Sequence, residues 1–284
     1  MATWGEARTA AIGRLRSAPD SDTAALDADV LLAHVLGVGK EALFAHPERR
    51  LTVTEHERFQ ELVERRTHGE PVAYLRGFKE FYGLRFAVDR RVLIPRPETE
   101  VIVSAARERI AGQALTVVDV GTGSGAIAVA IAAHEHRVRV IATDDSRDAL
   151  TVAASNALAN GVADRVEFRY GDLLAPITER AEIVCANLPY LTDASVARGV
   201  GERSSLAFEP RAAVVAGPDG LAVIRRCVAD LPRVLASGGT ALFECDPPQA
   251  DVVTEILRAA GLQSRVLTDL SGAERVVIGE RAAQ

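Results

Sequence analysis

From Leu115 onward the chain alternates short β-rich runs with helical stretches, and no other feature constrains the fold as strongly. The runs TVVDV, VRVIATD, RVEFRYGD, AEIVCANLPY, GTALFEC and ERVVIGE are separated by segments such as AIAVAIAAHE and DALTVAASNALANG. Strands that alternate with helices build an α/β doubly wound sheet, whose carboxyl edge is where ligands collect.

The first part of the chain has a different texture. From about Thr3 to Gly69, Ala, Leu, Arg and Glu dominate, and Leu26, Val30, Leu31, Val35 and Leu36 recur at helical spacing. At Gly77 the sequence turns to FKEFYGLRFAVDRRVLIPRPETE, rich in aromatic and β-branched residues and punctuated by Gly83, Pro95 and Pro97, which predicts a hairpin. A chain of 284 residues suits one principal domain with a smaller appendage. The expected organisation is a helical N-terminal domain over 1–74, a β-hairpin linker over 75–95 and an α/β domain over 96–284.

Composition removes several function classes. No apolar run approaches the roughly 20 residues a membrane span requires, so no membrane association is expected. The opening MATWGEARTAAIGRLR is mixed and charged where a secretory signal has a continuous apolar centre, which predicts a cytoplasmic protein. Cys185, Cys227 and Cys245 are widely spaced and form no Cys-x-x-Cys pair, arguing against a disulfide framework and a zinc site. They read as small buried apolar residues, and no metal is expected. A formal charge of -6 lacks the global basic excess of a dedicated nucleic-acid binder.

The segment Asp119-Val120-Gly121-Thr122-Gly123-Ser124-Gly125-Ala126 follows a β-rich run and opens a helical one. Glycines there let the backbone approach a ligand closely. The spacing also satisfies G-x-G-x-x-A, so a dinucleotide site or a purely structural turn competes with S-adenosylmethionine. Asp119, just before Gly121, Thr122, Gly123 and Gly125, is placed to face the cationic amino-acid end of S-adenosylmethionine. Asp144 ends the next run about twenty residues after Gly125, the place from which a carboxylate reaches ribose hydroxyls. Asp172 ends the run after that, where it is either an acceptor for an adenine amino group or a helix cap.

The fourth run ends in Ala186-Asn187-Leu188-Pro189-Tyr190. Methyl transfer from a sulfonium to an amide or aniline-like nitrogen needs accurate placement, because the nitrogen lone pair is delocalised. The Asn187 side-chain oxygen and the Leu188 carbonyl can each accept one N–H of an NH2 group, fixing it and raising electron density on nitrogen. Pro189 stiffens the turn, and Tyr190 offers a flat face to a planar group. Met alone, the tetrapeptide also reads as an Asn-x-Pro turn after a strand.

These residues and several others resemble the protein glutamine methyltransferases that modify class I peptide-chain release factors. The resemblance runs through Gly69-Glu70-Pro71-Val72-Ala73-Tyr74, Lys79-Glu80-Phe81-Tyr82-Gly83, Val92-Leu93-Ile94-Pro95-Arg96-Pro97-Glu98-Thr99-Glu100, the glycine turn, Asn187 to Tyr190, Glu209-Pro210-Arg211 and Asp219-Gly220-Leu221. It implies a Rossmann-like methyltransferase sheet of roughly seven strands behind a small helical substrate-binding domain, with S-adenosylmethionine as cofactor. It implies Asn187, Leu188, Pro189 and Tyr190 as the catalytic turn and Asp119, Gly121, Thr122, Gly123, Gly125, Asp144, Asp172 and Asn187 as the cofactor site. Arg96, Pro97, Glu98 and Thr99, with Asn187 and Tyr190, are implied near the acceptor, the glutamine of a Gly-Gly-Gln loop. Two departures stand out: the family usually has Asn-Pro-Pro-Tyr where this chain has Leu188, and Glu-Ile-Gly before a Gln where it has Glu244-Cys245-Asp246. Asn-Leu-Pro-Tyr also looks like the tetrapeptide of ribosomal RNA adenine dimethyltransferases, leaving an adenine amino group as the enzymatic alternative. A third reading is a binding module that keeps the fold without the reaction.

Overall fold

A computed structural model of the chain describes residues 1–17, 21–197 and 206–283. The described residues form two compact units, one built on Met1–Phe78 and the other on Lys79–Val196 and Glu209–Gln284.

The first unit is helical. It contains α1 (Trp4–Leu15), α2 (Ala24–Leu36), α3 (Lys40–Ala45), α4 (Val53–Thr67) and α5 (Val72–Arg76). Helices α1 and α4 each begin with a capping box, Thr3 with Glu6 and Thr52 with Glu55, which satisfies two backbone donors that a helix start otherwise leaves exposed. Their apolar faces meet α2 in a core of Trp4, Leu15, Leu31, Leu32, Phe59 and Leu62. Within it Arg66 donates to Asp27 at 2.7 Å, a buried ion pair that neutralises two charges neither of which could be buried alone.

The predicted hairpin, β1 (Phe78–Phe81) and β2 (Leu84–Ala87), begins at the last residue of Met1–Phe78 and continues into the second unit. Its turn places Tyr82 at φ 50 and Gly83 at φ 75, the two left-handed residues that match the twist of a tight hairpin. Tyr82 pays for a conformation unfavourable to a side chain with its contacts: its N–H donates to Glu100 at 2.8 Å, and Arg107 donates to its hydroxyl at 3.2 Å.

The remaining elements are α6 (Glu100–Ile110), β3 (Thr116–Val120), α7 (Ala126–His134), β4 (Arg139–Asp144), α8 (Arg147–Ala159), β5 (Val166–Tyr170), β6 (Ala181–Ala186), α9 (Asp193–Ala197), α10 (Ala222–Val234), β7 (Leu235–Glu244), α11 (Ala250–Ala259), β8 (Gln263–Thr268) and β9 (Glu274–Glu280). They include a seven-stranded sheet in the order β5-β4-β3-β6-β7-β9-β8. The first five strands in that order are parallel, and β9 and β8 close the edge antiparallel. Apolar clusters cover both faces, one including Ile102, Val129 and Ile131 and the other Leu188, Ile224 and Leu231. The doubly wound expectation is therefore met. Strand β8 is the element the hydrophobic pattern did not announce: QSRVLT is an edge strand whose residues are all exposed or half-buried, so it carries no apolar run.

The chain leaves β3 for β4 and β5 on one side, then crosses back to place β6 on the other. The carboxyl ends of β3 and β6 are thus neighbours at the point where strand order reverses, the position at which such sheets open a crevice.

Candidate active site

A cleft of about 280 Å³ opens at this switch point. Gly121, Thr122, Gly123 and Ser124 form one wall after β3, Asp144 and Asp172 lie at the ends of β4 and β5, and Asn187, Leu188 and Pro189 follow β6. Arg96 and Thr99 join them from the segment before α6.

The glycine turn has the conformation that only glycine adopts freely, with Gly121, Gly123 and Gly125 all at positive φ. Asp144 Oδ2 accepts the Gly123 N–H at 2.9 Å and Oδ1 accepts the Ser146 N–H at 2.9 Å, so this carboxylate shapes the turn as well as facing the cleft. Burial pushes its pKa up, opposed by those two backbone donors. From the other side, Asn156 donates to the Ser124 carbonyl at 2.8 Å and to Ala87 O at 3.0 Å, tying the turn to the hairpin.

Beneath the turn Asp119 is completely buried. Its Oδ2 accepts from the Thr122 hydroxyl at 2.6 Å and from Ala128 N in the first turn of α7 at 3.2 Å, while Oδ1 has no hydrogen-bond partner. Burial raises its pKa from 3.8 to about 7 against the pull of those two donors.

On the opposite wall, Asn187 Nδ2 donates to the Thr99 hydroxyl oxygen at 2.9 Å. That contact commits the nitrogen and leaves Oδ1 as the acceptor the side chain can offer. The turn itself is held from several directions. Gln249 Nε2 donates to Tyr190 O at 2.9 Å, and a Cβ at Gly220 would lie 2.1 Å from the same carbonyl, which explains a glycine there at φ 73. The Tyr190 hydroxyl donates inward to Glu244 Oε1 at 3.2 Å. Arg96 is held by the fully buried side chain of Glu209, whose Oε2 also accepts Ile94 N at 3.0 Å. Burial raises the Glu209 pKa and Arg96 opposes it.

Of the residues expected from sequence, Arg96, Thr99, Gly121, Thr122, Gly123, Asp144, Asp172, Asn187, Leu188 and Pro189 converge on the cleft. Five others lie off its wall, for separate reasons. Asp119 is sealed under the glycine turn by its own hydrogen bonds. Gly125 starts α7 at φ 82, where a Cβ would meet Ala153 at 3.1 Å, so it serves close helix packing. Pro97 and Glu98 begin the short 3-10 turn Pro97–Thr99, with Pro97 exposed and Glu98 half-buried. Tyr190 packs its ring against the core that contains Leu188 and points its hydroxyl at Glu244. Asp172 faces the cleft with one oxygen engaged by Arg226.

Sequence reasoning assigned no site role to Glu209, Glu244, Gln249, Asn156 or Arg226, although Glu209 lies in a stretch that carries the resemblance and Glu244 in one that departs from it. A signal existed for the two glutamates: each interrupts or borders an apolar stretch, and a fully buried carboxylate in such a place demands a partner. Among the described residues no cluster suited to a metal ion occurs, and no helix is long and apolar enough to cross a membrane.

The turns, acids and amide acceptor are a suitable setting for methyl transfer, and comparison with known proteins bears on which one. Residues 6–77 match the PrmC N-terminal domain, and residues 97–205 match the methyltransferase small domain. A release factor glutamine methyltransferase of Koribacter versatilis is 38% identical over 98% of this chain and 99% of its own length. One from Xylella fastidiosa is 40% identical over 89% of this chain and 92% of its own. Among solved structures, a methyltransferase from Pyrococcus furiosus superposes with a TM-score of 0.54 at 14% identity, covering 81% of this chain and all of that one, which supports the fold alone.

Proposed function

The chain belongs to the release factor glutamine methyltransferase family, and we propose that it moves a methyl group from S-adenosylmethionine to the glutamine side-chain nitrogen in the Gly-Gly-Gln loop of class I release factors. The observation that carries this reading is the committed Asn187 amide. With Nδ2 tied to Thr99, Oδ1 is the acceptor available at the end of β6, in the same cleft as the glycine turn.

The residues fit the cofactor. Nothing lies within 4 Å of where a Cβ on Gly123 would sit, so that turn leaves open space for a ligand against the backbone. Asp144 keeps unused lone pairs toward the cleft for ribose hydroxyls, and Asp172 offers its second oxygen to the adenine edge. Asp119 acts from beneath, setting the turn through Thr122 and the start of α7. When bound, S-adenosylmethionine supplies an electrophilic methyl group on a sulfonium.

This chain's own part is orientation. Asn187 Oδ1 and the Leu188 carbonyl would each accept one N–H of the glutamine amide, which would fix the nitrogen and raise its electron density. Leucine supplies the same carbonyl as the usual proline. Pro189 stiffens the turn and Tyr190 braces it from behind. The methylated nitrogen is acidic enough to lose its proton to water, so no general base is required. Arg96, positioned by Glu209, and Thr99 border the acceptor's approach, with Pro97 and Glu98 shaping that segment.

In this reading 1–74 is the release-factor-binding domain, 75–95 the hairpin linker and 96–284 the catalytic domain, in a cytoplasmic enzyme. The test is incubation with S-adenosylmethionine and a purified release factor, followed by mass spectrometry. One added methyl on the Gly-Gly-Gln glutamine is expected, absent when that glutamine is replaced by glutamate. Methylated adenine in RNA, with the release factor untouched, would overturn the reading.

A further inference from the structure

Helix α8 carries an amide in its interior, at a place where alanine or leucine serves a helix better, and that amide is buried with 1% of its surface exposed. Asn156 uses both of its side-chain donors. Its Oδ1 accepts the Ala87 N–H at 2.7 Å, while its Nδ2 donates to Ala87 O at 3.0 Å and to Ser124 O at 2.8 Å. Accepting from and donating to one residue is what the facing residue of a paired antiparallel strand does, so the side chain stands in for a further strand beside β2. One turn later Asn160 donates to Arg85 O at 3.1 Å, the next residue along β2 that points the same way. The spacings match, because four helical residues rise about 6 Å and two strand residues about 6.8 Å. Strand β1 pairs with β2 from its other edge.

The bond to Ser124 has no part in holding the hairpin. Ser124 belongs to the glycine turn and lines the cleft, and α8 meets that turn again at Ala153, 3.1 Å from where a Cβ on Gly125 would sit. From Ala87 the chain runs in four residues to Arg91, which lines the same cleft with Val92 and Leu93. That run is short and pinned. Val88 and Val92 are buried, Asp89 accepts the Arg91 N–H at 3.0 Å, and Glu209 accepts the Ile94 N–H at 3.0 Å. With Ala87 fixed at one end and Ile94 at the other, the wall at 91–93 takes its position from its two anchors.

An amide committed to both partners makes the place of each depend on the other, since a shift of Ser124 or of Ala87 would leave a buried polar group unpaired. We infer that Asn156 is a positioning residue that couples the glycine turn to the wall at 91–93, so that a cofactor seated on the turn also sets the wall. Coupling of this kind is reciprocal: cutting the tie to the hairpin weakens cofactor binding. The inference rests on the functional reading above and deepens it.

The test is Asn156→Ala in the full-length protein, with hydrogen exchange read by mass spectrometry over peptides covering 84–94, before and after saturation with S-adenosylmethionine. In the wild type, saturation should slow exchange of this segment at least about fivefold, and in Asn156→Ala by less than about twofold at equal saturation. KM for S-adenosylmethionine should rise about tenfold while kcat falls less than about threefold, a split that a general loss of stability does not produce. Ala87→Pro removes the N–H that Asn156 accepts, at an exposed side chain outside α8, and should lose the same protection. Wild-type protection in folded Asn156→Ala, or in Ala87→Pro should the first variant fail to fold, would overturn the inference and leave the cofactor reading standing. So would a wild type that binds S-adenosylmethionine by calorimetry without slowing exchange over 84–94. A wild type that does not bind S-adenosylmethionine removes the functional reading itself, and the inference with it.

Discussion

Beneath the glycine turn after β3 lies Asp119, and beneath the turn after β6 lies Glu244; both are fully buried and both have pKa values raised to about 7 by burial. The two supports are assembled differently. Asp119 takes its donors from Thr122 and Ala128, three and nine residues away, so the cofactor half is made by one short stretch of chain. Glu244 receives Tyr190 from 54 residues away, and the Asn187 amide that depends on Thr99 spans 88. The first support stabilises a backbone shape, and the second anchors the Tyr190 ring at the end of its turn. The difference predicts that damage to the β3 turn appears in cofactor affinity, and damage to the β6 turn in the rate of transfer.

The largest expected effect is at Asn187. Asn187→Ala removes one of the two acceptors proposed to orient the nucleophile, so kcat should fall at least about a hundredfold while calorimetry finds cofactor affinity within about twofold. A large loss of affinity would erase the division between the two turns. Next is Asp144→Ala, which should weaken S-adenosylmethionine binding by about 1–3 kcal/mol because ribose hydroxyls lose a charged acceptor and Gly123 loses its anchor. Wild-type binding by this variant, or binding of NAD by the unaltered protein, would remove the cofactor assignment.

Smaller, and shared by both turns, is a dependence of stability on pH. The folded chain retains protons on Asp119 and Glu244 that the unfolded chain releases at their ordinary values of 3.8 and 4.5. Folded stability from these groups is therefore fully present below about pH 4 and is lost as pH rises through about 7. Asp89 works in the opposite sense, its acidity strengthened by Arg91, and its contribution falls away in acid. The quantity to measure is the difference in Tm between the wild type and Asp119→Asn or Glu244→Gln across pH 5 to 8. Each variant should show a shallower decline by at least about 2 °C. Parallel curves would show that neither carboxylate holds a proton in the folded state.

The contrast also explains how much was legible in the sequence. Periodicity revealed the strands at Thr116–Val120 and Ala181–Ala186 and the helices between, because buried central strands read as apolar runs. It missed Gln263–Thr268, an edge strand with no buried residue. The glycine turn was readable because its parts are contiguous, and the Asn187 turn because its four residues are adjacent. Their supports were not. Glu209 meets Arg96 across 113 residues and Gln249 meets Tyr190 across 59, and such pairings arise only when the sheet brings distant loops to one edge. Glu244 stands inside the run GTALFEC, where a lone carboxylate among apolar residues is the available clue. The spacing predicts that Asp119 faces the cationic end of the cofactor, but its side chain is sealed beneath the turn by Thr122 and Ala128, because spacing reports which strand end a residue occupies and not which way its side chain points.

The smallest effect concerns the place where the two turns touch. Leu188 is buried, and its Cδ2 lies 3.0 Å from where a Cβ on Gly121 would sit, so the residue that replaces the family's usual proline packs against the cofactor turn. The contribution proposed for it is a backbone carbonyl, which proline also has, so Leu188→Pro should leave kcat within about threefold. The packing is another matter. Proline is smaller than leucine and withdraws the side chain from Gly121, so the change should appear mainly as a slight weakening of cofactor binding, about twofold. A double-mutant cycle with Asp144→Ala then measures whether the turns communicate through this contact: independent sites add within about 0.5 kcal/mol, and a larger coupling identifies Leu188 as the link. If Leu188→Pro instead lowers kcat strongly with affinity unchanged, the carbonyl has moved, and the freer backbone of leucine has been adapted to a geometry that proline does not reproduce.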